Sequence, residues 1–159
     1  MNEKDFSQEI AICNAVMSKK FEFLEHTADA YIAAYGRNLA EAFENAALAM
    51  FEVMTETENI EPRVEETVEV EAYDRQSLLY NWLEELLVRF ELSNVLYSKF
   101  KVLQMDEKID SLRLKAKISG EPFNETKHIQ KVGIKAVTYH RMEISEKPQK
   151  VTLRFILDI

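Results

Sequence analysis

The chain has 159 residues, enough for one domain around one core, and its 47% hydrophobic and 10% aromatic content argues against a disordered chain. Its 28 acidic against 20 basic residues leave a formal charge of −8, which excludes the basic footprint of a protein that holds nucleic acid by counterion release. A single cysteine, Cys13, excludes an internal disulfide and a cysteine zinc cage and makes the cytoplasm the expected compartment, while no apolar run approaches the ~20 residues that span a bilayer.

Residues 1–16 show no strand alternation and read as a tail, a short extra helix or an over-extended gene start, with a single domain expected over 17–159. From Lys19 the sequence alternates, with Phe21 and Phe23 on one face, and AYIAAY at 30–35 resumes the extended pattern after HTAD at 26–29. Two paired strands flanking a loop are the simplest reading. Gly36 closes the second strand, and Asn38 with Glu41 predicts a capped helix whose stripe is Leu39, Ala42, Phe43, Ala46, Ala47, Met50, Phe51 and Met54. A second stripe, Leu78, Leu79, Trp82, Leu83, Leu86, Leu87 and Phe90, follows Asp74 and Ser77, either of which could cap it. Trp82 belongs to the core on this spacing. Strand patterns fill the remainder, at 68–72, 100–104, 112–118, 132–144 and 151–157. Because strands and helices do not alternate one for one, the expected fold is α+β: a mostly antiparallel sheet of six or seven strands with two main helices packed on one face.

The charge is unevenly spread. Glu56 to Glu71 holds seven acids and only Arg63, whereas Lys127 to Lys150 holds six Lys/Arg, two histidines and two acids. Solvated strand and loop surface is the plain reading of both runs. The chain has no GxGxxG, P-loop, GxSxG or HExxH motif, and its three glycines cannot build a Gly-rich phosphate cradle.

Three places can carry chemistry. In the polar cluster Glu25 to Asp29, Thr27 and Asp29 either bond local backbone or belong to a metal or acid/base site, with His26 beside them. At FILDI, alternation puts Asp158 on the face opposite Val151, Leu153, Phe155 and Leu157, next to the α-carboxylate of Ile159. If Asp29 occupies the neighbouring strand end, three carboxylates converge, and a hard divalent cation such as Ca²⁺, Mg²⁺ or Mn²⁺ would relieve their repulsion. The third place combines SGEP at 119–122 with KAVTYH at 135–140, where Lys135 could meet a phosphate or a partner's carboxylate.

Taken in order, HTAD (26–29), GRNLAEAFENAALAMF (36–51), LLYNWLEELL (78–87), GEPF (120–123), KAVTYH (135–140) and LDI (157–159) resemble the archease family, from about Phe21 to the last residue. The resemblance implies an α+β fold and a non-enzymatic accessory role for the RtcB-type RNA ligase, which joins tRNA halves with GTP and Mn²⁺. It implies that such a protein promotes ligase guanylation and multiple turnover. It places the metal at Asp29, Asp158 and Ile159, and a ligase or nucleotide contact at Lys135, with His26 and Glu121 in support; RNA is met only through the ligase. Asn124 departs from the Asp that commonly follows GE in the family. Two rival functions stay open: a metal-dependent hydrolase acting on RNA ends or nucleotides, and a chaperone-like interaction module whose metal serves stability.

Overall fold

The computed structural model describes residues 19–26 and 28–159. The expected N-terminal extension over 1–16, with Cys13, lies outside the described residues, and so does Thr27. β1 (Phe21–Leu24) and β2 (Ala30–Gly36) pair antiparallel around the polar cluster. At Gly36 the chain turns into α1 (Leu39–Met54), and a Cβ there would run into the backbone of Ala42, so the corner requires glycine. The Asn38 side chain accepts the Glu41 N–H at 2.9 Å, as the capping pair predicts. After a short 3₁₀ turn (Thr57–Asn59) come β3 (Val64–Ala72) and α2 (Arg75–Ser93). Asp74 is the α2 cap, in a reciprocal box with Ser77, and Asn94 ends the helix in the left-handed region at φ 58°. Replacing Asp74 with Ala should lower stability by about 1 kcal/mol, seen as a lower urea midpoint with an unchanged denaturant slope.

The last third is strand: β4 (Val95–Lys108), β5 (Ser111–Pro122), β6 (Ala136–Val137), β7 (Glu143–Lys147) and β8 (Lys150–Asp158). The α+β class and the antiparallel pairing agree with the sequence. Among the described residues the strands number eight and divide into two sheets: β1-β2-β8-β6, with β7 also on β8, and β3-β5-β4. β4 begins five residues before the expected strand because Val95–Ser98 is buried without alternation, and two register shifts farther on break the period. β6 and β7 take successive stretches of the same edge of β8, opposite 157–158 and 150–154 respectively. The chain between them therefore leaves the ladder and turns.

One core joins the layers. α1 packs on β2 and β8 of the first sheet and on β4 of the second, while α2 packs mainly on β3, β4, β5 and β6. Trp82 is fully buried, and its indole N–H donates to the Phe43 carbonyl at 3.0 Å, tying the two helices together. Burial of such a side chain contributes roughly 3 kcal/mol. The acidic run is strand surface, as its composition suggests: Glu65, Glu69 and Glu71 of β3 meet Lys117, Lys115 and Arg113 of β5. Exposed pairs of this kind add little stability each. No helix among the described residues is long and apolar enough to cross a membrane.

Candidate functional site

β2 and β8 pair from Gly36↔Val151 to Ala30↔Leu157. Asp29 is the residue just before β2 and Asp158 the last of β8, so the antiparallel pairing brings the two to the same end of the sheet. Val151, Leu153, Phe155 and Leu157 are buried against the core, so Asp158 faces the other way, as alternation predicts. On its far side Asp158 pairs with Ala136, and its carbonyl accepts the Lys135 N–H at 2.7 Å. The tip after the opening strand and the end of the chain thus lie side by side. Ile159 packs partly against the core, which fixes the last residue of this edge.

His26 stands over the same edge. Its Nδ1 lies 3.8 Å from Asp29 Oδ2, beyond hydrogen-bond reach, and is buried with no partner among the described residues. A buried ring nitrogen is costly to leave unbonded. Among the described residues no three His, Cys, Asp or Glu side chains gather closely enough to hold a metal. The edge supplies two such side chains, and Ile159, which carries the terminal carboxylate, follows Asp158 directly. A donor set of oxygens fits a hard divalent cation and fits poorly a thiophilic one.

Lys135 is exposed and lies just before β6, where its backbone N–H meets the Asp158 carbonyl. The basic group on the Asp158 side is one that the sequence reading did not single out, Arg141. Its guanidinium lies 5.3 Å from the centre of the Tyr31 ring, and the His26 ring meets the same tyrosine edge-on at 6.0 Å. Tyr31 pairs with Ile156, two residues along each strand from Asp29 and Asp158 and on the same face. The only sequence signal for Arg141 was its place immediately after KAVTYH.

Glu121 has another role than the expected contact. It is 4% exposed, and its carboxylate takes the Lys127 ammonium at 2.7 Å, the Glu61 N–H at 3.1 Å and His128 Nε2 at 2.8 Å, with Arg63 Nε at 3.4 Å. Because His128 Nδ1 accepts the Asn124 N–H at 2.9 Å, the ring proton sits on Nε2 and is donated to Glu121. With its oxygens engaged and the side chain turned inward, Glu121 anchors the 121–128 loop and offers no open surface to a ligase. Asn124, where the family pattern has Asp, accepts the Thr126 N–H at 2.9 Å and the Thr126 hydroxyl at 2.7 Å, which closes the loop's first turn.

Comparison with known proteins agrees with this architecture. The Archease protein family (MTH1598/TM1083) matches residues 21–159. The protein archease of Sulfurisphaera tokodaii is 50% identical over 141 residues, covering 89% of this chain and 99% of that protein, and the protein archease of Methanothermobacter thermautotrophicus gives the same figures. The solution structure of Methanobacterium thermoautotrophicum protein 1598 superposes with a TM-score of 0.78 at 49% identity, over 88% of this chain and 99% of that one. The crystal structure of a Thermotoga maritima archease, described as a possible chaperone, shares the fold at a TM-score of 0.54 and 15% identity, over 87% and 96% of the two chains. With the family matched over nearly the whole chain and relatives at half identity, this protein belongs to the archease family.

Proposed function

We propose that the Asp29–Asp158 edge holds a divalent cation, Ca²⁺, Mg²⁺ or Mn²⁺, and that the protein is a cytoplasmic accessory factor of an RtcB-type RNA ligase, promoting its guanylation and repeated turnover in tRNA splicing without catalysing ligation. The observation that supports this reading is the β2–β8 ladder, which ends at Ala30↔Leu157 and so brings Asp29 and Asp158 to the same end of the sheet, with His26 beside Asp29. In this role Asp29, Asp158 and the Ile159 carboxylate hold the ion, with His26 standing beside Asp29. A bound divalent ion supplies positive charge for phosphoryl chemistry in the ligase. The chain contributes position, because both acids stand at one end of the β2–β8 ladder.

Multiple-turnover ligation by the cognate ligase tests the proposal. Asp29→Ala and Asp158→Ala should each abolish the stimulation given by the wild-type chain. Both should keep its melting temperature in chelator, since removing one of two facing carboxylates relieves repulsion in the ion-free protein. Stimulation at the wild-type level by either variant would end the metal reading. A chelator that lowers the melting temperature yet spares stimulation would favour a module whose ion serves only the fold.

A further inference from the structure

We propose that Arg141, seated on Tyr31, binds a phosphate group, that of a nucleoside triphosphate, at the edge that carries Asp29 and Asp158; this rests on the preceding reading only for the divalent ion that would share the phosphate. Three independent observations carry it. The first is charge pairing. The chain has seven arginines. Six of them meet a carboxylate: Arg37 with Glu41, Arg63 with Glu61, Arg75 with Glu107, Arg89 with Glu85, Arg113 with Glu71 and Arg154 with Glu143. Among the described residues Arg141 has no carboxylate partner, in a chain with an excess of acids.

The second is the backbone. The Met142 N–H bonds to the Tyr139 carbonyl at 3.1 Å, closing a turn with His140 and Arg141 at its centre, and Arg141 has φ 56°. That turn position ordinarily takes Gly or Asn, because a Cβ is strained there. A long cationic residue kept at a strained position is a reason to look for what its side chain does. The third is direction. Thr138 still bonds to the Ile156 carbonyl through its N–H at 3.3 Å and its hydroxyl at 2.9 Å, so the turn starts at the edge of β8. Tyr31 lies on β2, beyond β8. The Arg141 side chain therefore spans β8 at the level of Ile156, itself 1% exposed, and ends on the face of Asp29 and Asp158. Stacking on an aromatic ring fixes the guanidinium plane while leaving its N–H edge free, the arrangement that suits bidentate binding of a phosphate.

The test titrates the whole chain with GTP and excess Mg²⁺ at low ionic strength, following the Arg141 side-chain N–H and the Tyr31 ring by NMR. Parallel arms use inorganic triphosphate with Mg²⁺ and a short oligoribonucleotide carrying a terminal phosphate. Saturable shifts at both residues are expected. Arg141→Asn should weaken binding at least tenfold, with a melting temperature equal to or above wild type because Asn accepts the left-handed turn position, and Arg141→Lys should keep part of the affinity. Arg141-dependent binding in any arm supports the site, and the tightest arm names the source of the phosphate. Binding by Arg141→Asn as tight as wild type, no binding in any arm, or a fall in melting temperature with binding unchanged would overturn it. The two readings fail separately. If Asp29→Ala loses ligase stimulation while Arg141→Asn keeps GTP binding, the phosphate site is wrong and the metal edge stands. If Arg141→Asn loses GTP binding while Asp29→Ala stimulates normally, the reverse holds.

Discussion

Gly120→Ala should destabilise the protein by about 3 kcal/mol, far more than one methyl group usually costs at an exposed strand end. Gly120 lies in β5, the central strand of the second sheet, between Val64 of β3 and Tyr97 of β4. A Cβ at this position would run into the Leu96 carbonyl and stand 2.7 Å from Tyr97 Cα. These are backbone atoms of the paired strand, so no rotamer change relieves the clash. β4 has little freedom to retreat, because Tyr97 is fully buried and meets the Phe51 ring of α1 edge-on at 5.7 Å. The register shift between Tyr97 and Lys99 falls at the same place, where the two backbones come close. Urea denaturation checks the expectation through the midpoint, and a loss below about 1 kcal/mol would show that β4 can move aside.

This glycine also shows how far the sequence could be read. Within GEPF the residues look like a functional motif, yet Gly120 serves strand approach and Glu121 serves a loop, and neither role can be told from chemistry until the pairing partner is known. Local features were legible because their causes are local. The Asn38 cap, the Asp74 and Ser77 box and the two apolar stripes depend on residues three and four apart, and each stands where the spacing predicts. The division into two sheets depends on which strand pairs with which, and periodicity carries no such information. That the start of β2, after Asp29, and the end of β8, at Asp158, lie together was legible because both strands alternate clearly and antiparallel neighbours bring such ends together. Arg141 was not. Its meaning comes from a left-handed backbone angle and from a ring on a strand more than a hundred residues earlier in the chain.

Glu121→Gln should lower stability near neutral pH by an amount on the order of 3 kcal/mol, and the difference from wild type should close in acid. Burial pushes the Glu121 carboxyl up, but the Lys127 ammonium, the Glu61 N–H and the His128 donor outweigh it and hold the group down to about 2, from an ordinary 4.5. The sign follows from proton uptake. As pH falls below 4.5 the unfolded carboxyl takes its proton first, while the folded one resists until about pH 2, so the unfolded state gains stability across that window. The contribution is therefore whole above pH 4.5, falls by at most about 1.4 kcal/mol per pH unit below it, and is gone near pH 2. The glutamine variant has no carboxyl to titrate, though its amide oxygen can still accept from His128 and from the Glu61 N–H. Groups common to both proteins largely cancel in the comparison, so unfolding free energies measured for the two chains between pH 2 and pH 6 isolate this one side chain. A constant offset across that range would mean that shape, and not charge, accounts for the loss. On the proposed accessory role, ligase stimulation by Glu121→Gln at neutral pH, at a temperature where the variant stays folded, should remain near wild type, which separates an anchor of the loop from a group that touches the ligase.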